Sequence, residues 1–192
     1  MVISAIGTQC IGKSTFIKDF IAANSKFILP DINYRKVIEK NNLRLNRDGN
    51  YRSQRYLFDF MQDQVIELAK DKNKFYIVDR SLIDVVAYSM WLYENKPEVF
   101  TEDQMCRMYV ELFDHVKIYD FVIYIPLNMC NNVAIEDDKF RDTNVEYRED
   151  IDNNFKYIFD TYKNNLPKIV TIYGNRIERI EMLKNKIPSI FC

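Results

Sequence analysis

The sequence predicts an α/β fold, with a parallel sheet covered by helices on both faces. Two observations predict it. Five short, continuously apolar runs alternate with longer stretches whose apolar residues recur at helical spacing, the pattern of a sheet buried on both sides. The residues that interrupt these runs (Gly7, Asp31, Asp79-Arg80, Pro126 and Gly174-Asn175) fall at their carboxyl ends, where open sheets of this kind bind ligands.

The first predicted strand is Val2–Ile6, ending at Gly7. A helix over 12–23 follows, with Phe16, Ile17, Phe20 and Ile21 on one face. Phe27–Leu29 is a second strand, stopped by Pro30. A helix is expected over Asp31–Lys40, then a polar loop over 41–50, then a helix over 51–72 carrying Leu57, Phe60, Met61, Val65 and Leu68. Phe75–Val78 is the third strand, followed by Asp79-Arg80-Ser81 and a helix to about Tyr93. A further helix is expected over 102–117. Phe121–Ile125 is the fourth strand, closed by Pro126, and residues 128–142 are polar and loop-like. A long helix over 143–164, a strand over Ile169–Tyr173 and a helix over 176–186 complete the chain.

The chain has 192 residues, 47% of them hydrophobic and 29% charged, so a packed core is expected rather than disorder. Its net charge of −1 gives no electrostatic basis for bulk nucleic-acid or membrane binding. Apolar runs fall far short of a bilayer span, and Lys13 is the first charge, so no secretory start is read. Cys10, Cys106, Cys130 and Cys192 form no C-x-x-C pair. Free thiols and a cytoplasmic location, or the host cytoplasm for a phage-encoded protein, are expected.

Gly7-Thr8-Gln9-Cys10-Ile11-Gly12-Lys13-Ser14 fits G-x-x-x-x-G-K-[ST] between a strand and a helix. Glycines let the backbone turn its N–H groups onto phosphate oxygens, and the helix N-terminus adds partial positive charge. Lys13 is expected to reach the β- and γ-phosphates of ATP and Ser14 to ligate Mg²⁺. Thr15 completes the ATP-binding set. The motif narrows the fold class to a P-loop NTPase: a three-layer sandwich around a five-stranded parallel sheet, one domain over 1–192, with a helical lid at about 128–148.

Asp79 ends the third strand, beside the first in this architecture. It serves either as a second Mg²⁺ ligand or as a helix cap, and Arg80 is then placed to clamp an acceptor or a phosphate. Asp31 is either a general base for an attacking hydroxyl, with Arg35 one turn on, or a cap after Pro30. Gln54 and Gln62 offer amide forks to a nucleobase edge or lie exposed on the helix. Arg44, Arg47, Arg52 and Arg55 form either an anionic-acceptor contact or a solvated surface. Arg141 and Arg148 flank a helix start with a capping-box pattern from Asp142 or Thr143 to Glu146. Cations there oppose the helix dipole, which favours a lid closing on a transferring phosphate. His115 reads as core or surface.

Together, Gly7–Ser14, Asp31, Asp79-Arg80-Ser81 and Arg141/Arg148 resemble the P-loop kinases of nucleosides and nucleotides. Asp79-Arg80-Ser81 resembles the Asp/Glu-Arg-Ser motif of deoxynucleoside kinases and the Asp-Arg motif of thymidylate kinases. Val78–Tyr88 with Asp138–Asp142 is similar to the nicotinamide-riboside-kinase-like ATPases of bacteria and phages. The resemblance implies Asp31 as base, Arg80 as the acceptor-positioning group, lid arginines on the transferring phosphoryl, and Gly174-Asn175-Arg176 against adenine. It implies ATP and Mg²⁺ as cofactors, a nucleoside or nucleoside monophosphate as acceptor with the deoxynucleoside type favoured, and a possible homodimer. Two alternatives stand beside it: a polynucleotide 5′-hydroxyl kinase, against which the net charge argues, and a non-catalytic NTP-binding regulatory module, which has no need of an acceptor base. An AAA-type motor ATPase is disfavoured because no sensor or ring-interface domain fits the remaining length.

Overall fold

The computed structural model describes residues 1–32, 34–127 and 142–191. The five strands are β1 (Val2–Ile6), β2 (Phe27–Ile28), β3 (Phe75–Asp79), β4 (Phe121–Tyr124) and β5 (Lys168–Thr171). They form one sheet in the order β2-β3-β1-β4-β5, and every pairing is parallel. The helices are α1 (Lys13–Ala23), α2 (Tyr34–Lys40), α3 (Tyr51–Lys70), α4 (Leu82–Asn95), α5 (Glu102–His115), α6 (Val145–Thr161) and α7 (Arg176–Lys186).

β1 is buried along its whole length, because β3 and β4 flank it and both its faces meet helices. Alternate side chains feed two cores. Val2 and Ile6 join Val122, Leu57, Val86 and Phe155 on the face covered by α3 to α6. Ile3 and Ala5 join Ile77, Ile123, Phe16, Phe20 and Leu183 on the face covered by α1 and α7. These are the three layers expected of a P-loop NTPase.

Helix α2 begins at Tyr34, three residues after Asp31 and later than its sequence pattern suggests. α4 is capped by Ser81, whose hydroxyl accepts from Ile83 N at 3.1 Å while Asp84 Oδ2 accepts from Ser81 N at 2.7 Å. α6 is capped by Asn144, which accepts from Tyr147 N at 2.7 Å. The expected box from Asp142 or Thr143 to Glu146 is therefore replaced by a single Asn cap. The helical lid and Arg141 fall largely within 128–141, outside the described residues, whereas Arg148 is buried in the first turn of α6.

Candidate functional site

At the carboxyl end of β1 the chain turns through Gly7 at φ 134° and Gly12 at φ 81°. A Cβ on Gly7 would stand 2.5 Å from both the Ile11 side chain and the Ile125 carbonyl oxygen, so only glycine fits this turn. Gly12 occupies the cap position of α1 with no side-chain cap bond. The first N–H groups of α1 are thus left for an anion rather than for a capping oxygen.

Lys13 folds back over this loop. Its ammonium donates to Gly7 O at 2.8 Å and Thr8 O at 2.6 Å, and the side chain is 7% exposed. Burial, reinforced by the Arg80 charge, lowers its pKa from 10.5 to about 8. Phosphate oxygens would compete for the same ammonium. Behind the loop, Arg179 donates to Ile11 O at 3.0 Å and Gly174 O at 2.9 Å, bracing it from α7. Gly174-Asn175-Arg176, the expected adenine neighbour, forms the cap of α7, and Arg176 pairs with Asp19 at 2.5 Å.

Parallel pairing sets Asp79 opposite Ala5, beside the phosphate loop. Ser14 Oγ donates to Asp79 Oδ2 at 3.0 Å. Asp79 Oδ1 is buried without a hydrogen-bond partner. Asp79 does not cap α4, since Ser81 holds that position. A hydroxyl and a carboxylate with one unsatisfied oxygen fit Mg²⁺, which takes few protein ligands and completes its shell with water and phosphate. Among the described residues no three His, Cys, Asp or Glu side chains gather into a metal cluster.

A cavity of about 530 Å³ opens beside the loop. Cys10 to Thr15 and Asp79 line it. Asp31 and Arg35 from the segment after β2, Gln54 from α3, Arg80 from the turn before α4, and Asp84 and Tyr88 from α4 line it too. Leu57, Met61, Ile38 and Val85 supply apolar wall. Residues 23 or more positions apart in the chain, Asp31, Gln54 and Arg80, therefore share one space. Gln54 is 3% exposed, and no hydrogen bond to its side-chain amide forms among the described residues. Arg80 holds a strained left-handed backbone at φ 77°, with its amide donating to Ala5 O at 2.9 Å.

Other expected residues go elsewhere. Gln62 bonds to His115 at 3.2 Å, which also binds Glu111 O, so neither reaches the cavity. Arg55 pairs with Asp59 and Glu111, and Arg47 with Asp142 at 2.5 Å. None of Arg44, Arg47, Arg52 and Arg55 lines the cavity, because the loop and α3 turn them outward. Arg148 donates to Cys10 O at 3.4 Å and keeps a buried, unpartnered Nε. It therefore approaches the phosphate loop itself.

Asp84, Tyr88 and Arg179 were given no role by sequence, and the contacts of Gln9 beyond the phosphate loop were not foreseen. Asp84 has a signal, being three positions after Ser81 in a capping-box pattern. Tyr88, whose hydroxyl donates to Gln9 Oε1, Gln9, whose amide donates to Asp142 O at 2.9 Å, and Arg179 on α7 have no local signal for these contacts. They arise only when α4, the loop and the start of α6 meet. Burial raises the Asp84 pKa to about 6, with Arg80 and Lys13 opposing the rise.

No curated protein matches the sequence significantly. Solved structures of similar fold include a deoxyadenosine kinase from M. mycoides with the products dCMP and dCDP. It is 18% identical, with TM-score 0.64 over 98% of this chain and 100% of that one. A NadR protein in complex with NR is 14% identical, with TM-score 0.71 over 96% of this chain and 50% of that one. A thymidylate kinase from Candida albicans is 17% identical, with TM-score 0.66 over 98% and 91%. A family model described as an AAA domain matches residues 2–176. With the five-stranded parallel sheet and the phosphate loop in place, the chain belongs to this AAA domain family and has the fold of the P-loop nucleoside and nucleotide kinases.

Proposed function

We propose that the protein transfers the γ-phosphate of ATP to a nucleoside or nucleoside monophosphate, with a deoxynucleoside-type acceptor favoured. The observation that carries this reading is the shared cavity. The phosphate loop and Asp79 share it with Asp31, Arg35, Gln54 and Arg80, which leaves room for a small acceptor beside a donor phosphate. A regulatory module that only binds NTP has no use for that further lining.

Lys13, the N–H groups at the start of α1 and Arg148 would hold the donor phosphates. Ser14 and Asp79 would hold Mg²⁺, which when bound offsets phosphate charge. Arg80 and Arg35 would orient the acceptor, Gln54 would read a heterocycle edge through its unpaired amide, and Asp31 would take a proton from an attacking hydroxyl. The deoxyadenosine and thymidylate kinases of similar fold support this reading.

An ATP-consumption screen across ribo- and deoxynucleosides, their monophosphates and nicotinamide riboside tests it. Turnover with at least one nucleoside-like acceptor is expected, dependent on a divalent metal. Turnover with a 5′-hydroxyl oligonucleotide alone would replace this reading by a polynucleotide kinase.

A further inference from the structure

Gln9 belongs to the phosphate loop, yet its side chain is engaged by the protein itself. It is 4% exposed. Its Oε1 accepts from the Tyr88 hydroxyl and from Thr8 Oγ1 at 3.2 Å, and its Nε2 donates to Asp142 O at 2.9 Å. A backbone carbonyl only accepts, so the Asp142 contact fixes which end of the amide meets which partner. Tyr88 is held in turn: its ring packs against Tyr147 at 6.2 Å, with the Arg80 guanidinium 5.6 Å above it.

These bonds join the loop after β1 to the start of α6, 133 positions away. Asp142 Oδ1 accepts from Asn144 N at 3.0 Å, and Asn144 caps α6. Arg148 follows one turn on, its Nη2 donating to Cys10 O at 3.4 Å. Two neighbouring residues of the loop, Gln9 and Cys10, thus grip the same short stretch. Asp142 has a second anchor in its ion pair with Arg47, but the Arg47 side chain is 51% exposed, and exposed pairs hold weakly. The Gln9 amide is buried, where a lost partner costs most. Trp91 and Tyr147 complete the seat of α6, with ring centroids 4.8 Å apart and Trp91 Nε1 donating to Asp150 Oδ2 at 3.1 Å.

We propose that Gln9 is a positioning residue: it clips the start of α6 onto the phosphate loop and so sets Arg148 against the donor phosphates, with Tyr88 locking the amide in place. The proposal rests on the kinase reading above and assigns to that site a residue whose side chain acts through another. Arg148 keeps a buried Nε without a partner. A guanidinium so loosely bonded depends on its helix, rather than on its own contacts, for register. Register matters, because a misplacement of about 1 Å in a charge-stabilising group costs up to about a hundredfold in rate.

Trp91 is the one tryptophan of the chain and reports on the seat of α6. The test compares the wild type, Gln9→Met, Tyr88→Phe, Arg148→Ala and the Gln9→Met, Arg148→Ala double variant. It reads acrylamide quenching of Trp91 in the nucleotide-free protein, calorimetric affinity for a non-hydrolysable ATP analogue with Mg²⁺, and kcat with an acceptor found in the screen above. Gln9→Met keeps the length of the side chain and removes the amide. It is expected to raise Trp91 quenching by about twofold as the start of α6 loosens. It should also lower kcat by about tenfold while changing analogue affinity by less than about threefold. On the Arg148→Ala background the same substitution should cost less than about twofold in kcat, since residues acting as a unit are not additive. Unchanged quenching, a parallel loss of kcat and affinity, or a kcat loss independent of Arg148 overturns the proposal and leaves the kinase reading standing. Turnover of no nucleoside-like acceptor overturns the kinase reading, and the quenching comparison then decides the clip alone. Should Gln9→Met not fold, Tyr88→Phe, which removes one hydroxyl, decides: higher quenching and lower kcat at constant affinity are expected, and no change in either overturns the proposal.

Discussion

Replacing Lys13 by methionine separates the stability of the nucleotide-free protein from its chemistry. The side chain is 7% exposed, and its pKa falls from 10.5 to about 8, chiefly through burial. That fall corresponds to about 3 kcal/mol by which the folded state favours the neutral amine. The unfolded chain keeps its proton up to about pH 10.5, whereas the folded chain releases it near pH 8. The unfolded state therefore binds more protons between these values, and stability rises with pH across that window. Methionine keeps an unbranched stem and removes the charge, but it also removes the bonds to Gly7 O and Thr8 O, worth about 1.5 kcal/mol each. At pH 7 the two effects roughly cancel, so the variant should unfold within about 1 kcal/mol of the wild type. By pH 10 the wild type should gain about 3 kcal/mol relative to the variant. Denaturant titrations of both proteins at the two pH values measure this. The same variant should lose the stabilisation conferred by ATP with Mg²⁺ and at least about a hundredfold in transfer rate. A pH-independent difference between the two proteins, or retained transfer, would refute the reasoning.

Further expectations concern single side chains around the cavity. Asp79→Asn should raise the Mg²⁺ concentration needed for half-maximal rate, which a metal titration of initial rates reads directly; unchanged metal dependence would remove Asp79 from the metal site. Asp31→Asn should lower kcat by about a hundredfold for a hydroxyl acceptor, with ATP affinity nearly constant. Arg148→Ala should lower kcat more than it weakens ATP binding, because its contact tightens on the transferring phosphoryl; an effect confined to ATP affinity counts against that role. Gln54→Leu should raise the acceptor KM by about tenfold, the cost of leaving a heterocycle edge unpaired, and leave the ATP KM unchanged.

Much of the fold was legible because its signals are local. Val2–Ile6 is a strand with the predicted bounds, and α1 and α7 start and stop within a residue of their patterns. The phosphate loop carries its own geometry, since Gly7 and Gly12 are needed where the backbone turns left-handed. Asp31, Gln54 and Arg80 line one cavity because strand ends and one helix face point to a common place. The failures have a common cause as well. Gln62 and Arg55 share α3 with Gln54, yet they face His115 and Glu111 on α5, and helical periodicity does not say which neighbour each face meets. Arg179 sits beside Ile180 in an ordinary amphipathic helix, and its role as a brace depends on a carbonyl at Ile11, 168 positions away. Asp84 was given no role by sequence, and the turn at Arg80 brings the guanidinium to 3.6 Å from it.

The edge strand β2 pairs with β3 through only two residues, Phe27 and Ile28, and Ile28 and Leu29 are exposed. So short a strand offers little template for pairing with a foreign chain. It also divides the site by how firmly each half is anchored. The donor half hangs from β1 and β3 at the centre of the sheet, where an altered residue disturbs two cores at once. The half proposed for an acceptor begins at Asp31, just beyond the least anchored strand, where substitutions and insertions cost little packing. Under the proposed function, such an arrangement is evolvable in one direction: descendants of this chain would change what they phosphorylate much more readily than what they phosphorylate it with.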